Sequence, residues 1–287
     1  MSVMSLSSTA VLSKPVSAPA RRIVHRTRGH QQGPIVRLVS PSDLGELIKP
    51  FVFLDHIDVE TQDNIGFGFH PHSGIATLTL LLEGGFTYED STGAKGEMAQ
   101  GAVEWMQAGG GVWHTGKSVG THIKGYQLWV TLPPALENAP PASLYLEAGR
   151  FARQGPARVI LGEWGGVRSP IPAPSSMNFL EVSLRDGEVW RYDPPEGHDV
   201  AWIAVHQGRL LTPEPVSADE LAVFEEGAGS MTFRSEGNSG FILGSAARHP
   251  HDLVLGNYSV HTSAANLKSA EERIRSIGAD LRRIGKI

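Results

Sequence analysis

The residues best suited to chemistry fall in two short segments, Gly66-Phe67-Gly68-Phe69-His70-Pro71-His72-Ser73-Gly74 and Ala108-Gly109-Gly110-Gly111-Val112-Trp113-His114. Alternate side chains of an extended strand share a face, so His70 and His72 are expected to point one way and Phe67, Phe69 and Pro71 the other. Residues two apart in a strand lie about 6.5–7 Å apart at Cα, and two imidazoles leaning together can reach one ion at about 2.0–2.1 Å. Three successive glycines allow a sharp reversal that few other residues tolerate, and such a turn would aim His114 back beside the pair. The chemistry implied is metal ligation by imidazole.

Composition narrows what else the chain can do. It has 287 residues, with 30 acidic against 25 basic side chains and a formal net charge of −5, which argues against a general nucleic-acid coat or an anionic-membrane binder. The absence of cysteine excludes disulfides, thiolate metal sites, iron–sulfur clusters and thiol nucleophiles. Any transition metal must therefore be held by carboxylates and by some of the 12 histidines. With 33 glycines, 19 prolines and 40% hydrophobic residues, the chain reads as a real core joined by many tight turns. It holds no apolar run of about 18 residues, so no membrane-spanning helix is expected. The Ser/Ala/Pro-rich residues 1–20 do not form a secretory signal and are expected to be a flexible, solvated terminus. Arg21, Arg22, Arg26 and Arg28 precede the first acidic residue, Asp43, and give only a faint transit-peptide signal. A cytoplasmic location is the expectation.

The elements that must position these histidines are short strands. Ile75–Leu82 is apolar and ends at Gly84-Gly85, Ser91-Thr92-Gly93 is a turn, and Val103–Gln107 and Tyr126–Leu132 are further strands. A second series runs through Phe179–Leu184, Val189–Tyr192, Val200–His206, Leu221–Phe224 and Ser230–Arg234. Such spacing predicts an all-β protein made of two copies of one sandwich or barrel. The expected divisions are a flexible segment 1–20, an N-terminal barrel 21–132 with the metal site, a proline-rich connection 133–175 and a C-terminal barrel 176–287. Leu267, Ala270, Ile274, Ile277, Leu281 and Ile284 fall on one face of a terminal α-helix, with Ser269 and Glu272 as a capping box. Arg282, Arg283 and Lys286 suit the negative end of its dipole.

The run FVFLDHI…GFHPHSGIATLTLLLEGGFTYEDSTG…MAQGAVEWMQAGGGVWHTG…GYQLWVTLP resembles the pirins, specifically from about Phe51 to Leu132 and more loosely from Arg22 and on to Asn257-Tyr258-Ser259-Val260. The resemblance implies a bicupin: two cupin β-barrels packed together, with a C-terminal helix. It also implies one divalent metal in the N-terminal barrel, iron(II) in the family, and in some members quercetin 2,3-dioxygenase activity. Other members act as regulators through protein contacts. Carried over residue by residue, the family's three histidines are His70, His72 and His114. Its glutamate two residues after the third histidine falls on Gly116, and a further common glutamate falls on Ala76. Three histidines alone suit zinc, nickel, copper or ferrous iron. Glu83 and Glu104 are the carboxylates available as substitutes, Gln127 is a candidate pocket residue, and His122 is expected at the surface.

Three functions follow as expectations: a quercetinase-type oxygenase acting on a flavonol-like small molecule with O2, a metal- or redox-responsive regulator with a protein partner, or a degenerate cupin with weak or no metal binding. No direct nucleic-acid or membrane partner is expected, and the sequence assigns no catalytic residue. Asp55-His56 reads as structural, His249-Pro250-His251 lacks a glycine-rich partner histidine, and Arg21-Arg22 and Glu225-Glu226 read as solvated charge. Nucleotide-loop, nucleophile-elbow and zinc-finger patterns are missing.

Overall fold

A computed structural model describes residues 20–60, 65–211 and 214–287. The expected N-terminal flexible segment thus lies outside the described residues, Ala20 excepted. Two antiparallel nine-stranded sheets, each curled into a barrel, make up most of the molecule. In the first the order is Ala142–Leu146, Val103–Gln107, Ile75–Asp90, Val112–Thr131, Phe51–Glu60, Ile35–Val39 and His30–Gln32. Gly66–His72 adds to the Val112–Thr131 strand, and Lys95–Met98 to Ile75–Asp90. The second runs Ile23–Thr27, Glu220–Phe224, Val200–Leu211, Met231–Ala246, Met177–Leu184, Ala157–Leu161 and Arg153–Gln154.

Strand membership crosses the expected divisions. Ile23–Thr27 pairs with Glu220–Phe224 of the second sheet, and Ala142–Leu146 and Ala157–Leu161, from the expected connection, belong to the first and second sheets respectively. One apolar core joins both barrels, with Phe51 of the first edge-on to Trp202 of the second at 5.4 Å between ring centroids. The second barrel's interior is packed by Trp190, Tyr192, Phe224, Phe233 and Phe241.

Several local expectations are corrected. Gly84-Gly85 bends a strand instead of ending it: Ile75–Asp90 is continuous, and its register shifts at Leu81/Glu83 and Glu83/Gly85 with Gly84 at φ 81°. The terminal helix spans Ala264–Arg283 and is capped by Ser263, whose hydroxyl accepts from the Asn266 amide at 3.2 Å. Ser269 is therefore interior to the helix, because Ser263 already satisfies an orphan amide nearly two turns earlier. Ala270, Ile274, Gly278 and Leu281 are buried, whereas Ile284 lies past the last turn and is 59% exposed. Arg282 and Arg283 occupy the last turn. Arg21 is buried, since its guanidinium donates to the carbonyls of His198, Asp199 and Gly227, while Arg22 pairs with Glu225 and Glu226 with Arg248. Among the described residues no helix is long and apolar enough to cross a membrane.

Candidate metal centre

The Gly66–His72 strand pairs with the start of the Val112–Thr131 strand, placing His70 directly opposite His114 and His72 opposite Val112. Alternation puts His70 and His72 on one face, with rings 4.8 Å apart. The glycine turn that delivers His114 is shaped by two constraints. Gly109 and Gly111 have φ of 53° and 145°, and a Cβ at Gly109 would lie 2.1 Å from the Ala139 carbonyl oxygen. The helix packs beneath this turn, where the Trp113 indole donates to the Ile274 carbonyl at 3.0 Å.

These elements bring one ring nitrogen of each of His70, His72 and His114 within 4.8 Å of one another. Each ring is oriented from behind. His70 Nδ1 faces the Gly68 carbonyl at 3.1 Å, His72 Nδ1 faces the Tyr258 carbonyl at 3.0 Å, and His114 Nδ1 lies 3.6 Å from Glu104 Oε1. A carbonyl only accepts, so Nδ1 of His70 and of His72 carries the proton and Nε2 keeps its lone pair for the centre. His72 Nε2 is buried with no hydrogen-bond partner among the described residues, and the Nε2 atoms of His70 and His114 are 3.1 Å apart. Two ligands at about 2.0–2.1 Å from a shared ion, subtending about 90–110°, are separated by about 2.8–3.4 Å. The His70–His114 pair has that spacing, and with His72 the three residues could hold one metal ion. Burial, and then the proximity of His114, pushes the His70 imidazole down to about 4; the same influences hold His72 well below its ordinary range. Those two rings are neutral near pH 7, the form in which an imidazole can bind a metal.

Of the candidate carboxylates, Glu104 approaches the centre as the partner of a ligating ring. It is buried, accepts a 2.7 Å hydrogen bond from Thr79 Oγ1, and stands on a row of directly opposed residues: Glu104–Thr79, Thr79–Gln127, Gln127–Asp55 and Asp55–Arg37. Burial pushes its carboxyl up, but His114, Thr79 and Tyr145 outweigh that and hold it below the usual range. Its negative charge stands behind the His114 ring and would offset part of the charge of a bound ion. Glu83 is exposed and 3.5 Å from His122, which also meets Asp58, so neither Glu83 nor His122 is brought to the centre.

The glutamate position of the family is closed here. A Cβ on Gly116 would lie 2.1 Å from Phe86 Cε1 and 2.7 Å from the Thr87 carbonyl oxygen. Phe67 is also displaced from its expected face: a register shift between Phe67 and His70 turns its ring to 4.8 Å from His70 and 5.5 Å from His114. Ala76 is wholly buried in the core. Phe86 thus packs against Gly116, and Phe67 lies beside His70 and His114.

Beside His70 opens a cavity of 630 Å³, a size suited to a drug-sized ligand. Phe53, Phe67, Phe69, Trp129 and Tyr258 supply apolar wall, and Arg37, Asp55 and Gln127 supply polar groups. Asp55 forms a two-pronged ion pair with Arg37, whose guanidinium lies 3.9 Å over the Phe53 ring. Sequence reasoning placed Gln127 in a pocket but gave Asp55 only a structural role. The signal lay in alternation along Phe51–Glu60, which puts Phe53 and Asp55 on one face. His249 and His251 have rings 5.3 Å apart, and the His251 carbonyl accepts from Lys49.

Comparison with known proteins agrees with this geometry. The family model named Pirin matches residues 34–130. A Pseudomonas aeruginosa protein named "Putative quercetin 2,3-dioxygenase" is 31% identical over 67% of this chain and 73% of its own length. The crystal structure of quercetin 2,3-dioxygenase from Acinetobacter baumannii superposes with a TM-score of 0.81 at 24% identity, covering 90% of this chain and 98% of that one. A bacterial pirin from Escherichia coli, in complex with nickel(II), has a TM-score of 0.63 at 20% identity over 80% of this chain and 98% of that one. The sequence match, the bicupin fold and the histidine pattern together make this chain a member of the pirin family.

Proposed function

We propose that this chain is a metal-dependent oxygenase of quercetinase type, acting on a planar, hydroxylated aromatic small molecule with O2. The observation that carries it is the inward convergence of three Nε2 atoms while each Nδ1 meets an acceptor behind it. When bound, a divalent metal would supply Lewis-acid and redox chemistry beside the cavity, iron(II) by family resemblance and nickel, zinc or copper by ligand chemistry. The names of the Pseudomonas and Acinetobacter relatives support the same substrate class.

The chain's own groups then have distinct tasks. Phe67, Phe69 and Tyr258 give apolar surface for an aromatic ligand, backed by Phe53, which is stacked on Trp129 at 4.0 Å and covered by Arg37. Among the described residues Asp55 is the one carboxylate lining the cavity, so its Oδ atoms accept the proton of a substrate hydroxyl. Burial raises the Asp55 carboxyl, and Arg37 pulls it back without cancelling the shift. Gln127, opposite Asp55 in register, is placed to orient the same hydroxyl.

Elemental analysis of the purified chain, with His114→Ala as control, tests the first step. About one metal per chain in the wild type and loss in the variant is the expected result. Anaerobic loading with iron(II) or nickel(II), then aerobic incubation with quercetin, tests the second. Oxygen uptake no faster than in the metal-free protein would refute the oxygenase reading for that substrate.

A further inference from the structure

Tyr258 is one of two non-glycine residues among those described with positive φ, at 57°. Side chains of L-residues rarely adopt this conformation, and the Tyr258 side chain is not buried by it: the residue is 48% exposed. What the conformation delivers is a carbonyl oxygen 3.0 Å from His72 Nδ1, at the tip of the hairpin formed by Val254–Gly256 and Ser259–His261. Outliers of this kind concentrate where structure serves a site.

The hairpin is fastened beside the ligand-bearing turn by a buried polar chain. Ser73 and Ser259 form an isolated parallel bridge, the Ser73 hydroxyl donates to Ser259 Oγ at 2.9 Å, and it lies 3.0 Å from His261 Nε2. Glu137 stands behind, 3.5 Å from His261 Nδ1, accepting from the Thr262 amide at 2.6 Å and from Asn266 Nδ2 at 2.7 Å. Ser73, Ser259, His261 and Glu137 are all buried. Gly74 lets the two segments touch, since a Cβ there would lie 2.1 Å from the Val260 carbonyl oxygen.

We propose that the Asn257–Tyr258 tip is a positioning element of the metal centre: its carbonyl fixes His72 in the tautomer that offers Nε2 to an ion, and the Glu137–His261–Ser73 chain holds that carbonyl in place. The role of the ion rests on the metal reading above. The tautomer does not, and this separates the two claims. An imidazole held with its proton on Nε2 cannot ligate through that atom, so losing the carbonyl leaves the third ligand in competition with its own proton.

The test uses the full chain, metal-free and with nitrogen-labelled histidine, and reads the His72 tautomer from long-range proton–nitrogen correlations before a nickel(II) titration. Tyr258→Gly keeps the carbonyl and permits the backbone conformation, so tautomer and nickel affinity are expected to match the wild type. Tyr258→Pro forbids positive φ and should mix the tautomers and weaken nickel about 10–100-fold, the usual effect of losing a partner behind a ligand. Glu137→Ala leaves the tip sequence intact and should move both readouts in the same direction, with Glu137→Gln restoring them. This pair decides the matter if the proline variant fails to fold. An Nε2-protonated His72 in the wild type, or wild-type tautomer and affinity in both Tyr258→Pro and Glu137→Ala, would overturn the proposal. A wild type with the expected tautomer that takes up no nickel would instead overturn the metal reading and leave the tautomer assignment standing.

Discussion

Installing the family's glutamate at Gly116 should fail for a steric reason that can be measured without any metal. A Cβ at this position falls 2.1 Å from Phe86 Cε1, 2.5 Å from its Cζ and 2.7 Å from the Thr87 carbonyl oxygen. Replacing glycine within a strand gains roughly 0.5–1 kcal/mol from backbone entropy, whereas overpacking costs about 1–3 kcal/mol, so the clash decides. Gly116→Glu is expected near the top of that range, about 3 kcal/mol, because one of the colliding atoms belongs to the backbone. Phe86 is only partly buried, so Phe86→Ala should cost about 1–2 kcal/mol, well under the roughly 3–5 kcal/mol of a core phenylalanine. If the ring is the main obstacle, the double variant should cost about 1–2 kcal/mol less than the sum of the singles. The remainder of the penalty belongs to the Thr87 oxygen, which stays. Urea unfolding of the wild type, both singles and the double closes the cycle. Additivity within about 0.5 kcal/mol would refute the reasoning, since uncoupled sites add to that accuracy.

Three further outcomes are expected. Glu104→Gln keeps an acceptor for Thr79 and removes the charge behind His114, so nickel affinity should fall about 10–100-fold with little change in fold; calorimetric titration giving the wild-type affinity would count against the role of Glu104. Burial pushes His70, His198 and His249 down to about 4 and His206 to about 3, so each favours the folded state while neutral. That contribution is complete well above pH 6.5 and is lost as the pH falls through 6.5 toward the folded values, so near pH 5.5 each such group lowers stability by roughly 1 kcal/mol. An unfolding midpoint of the metal-free chain that is equal at pH 7 and pH 5.5 would contradict this. Gly278→Leu should loosen the terminal helix at a cost of about 1–3 kcal/mol, because a Cβ there already meets the Trp113 ring at 2.9 Å, and tryptophan fluorescence together with urea unfolding would show a variant as stable as wild type if that contact is unimportant.

A great deal of the fold and of the grouping of His70, His72 and His114 was legible in the sequence, because both rest on local rules. Period-two alternation put His70 and His72 on one face, and the glycine run marked the reversal before His114. Other features were hidden because they depend on register between distant strands. Glu104 comes within 3.6 Å of His114 because Val103–Gln107 and Val112–Thr131 both pair with Ile75–Asp90, and no spacing in the chain predicts that pairing. The bulge that turns Phe67 inward shifts a face by one residue, against simple alternation. Ser263 was missed as the helix cap because the capping pattern Ser269–Glu272 also fits the sequence, and only packing chooses between them. Arg21 looked like solvent-exposed charge until three backbone carbonyls from remote loops were seen to surround it.

The pairing of Ile23–Thr27 with Glu220–Phe224 sets a timetable for synthesis. A ribosome adding about 5–20 residues per second makes the first strand roughly 10–40 s before its partner exists. The histidine-bearing sheet, apart from its contacts to the C-terminal segment, is encoded between these two strands and can begin to form while the leading strand waits. A waiting strand is an open edge, and its content suits the delay: His25 and Arg26 interrupt the apolar pattern. Arg26 later pairs with Glu214 and Glu220, so the charge that keeps the nascent strand apart from other chains becomes part of its final seam. Cutting the gene between the barrels should therefore leave the second half with a vacant edge, which the missing strand, supplied as a separate peptide, would be the natural piece to fill.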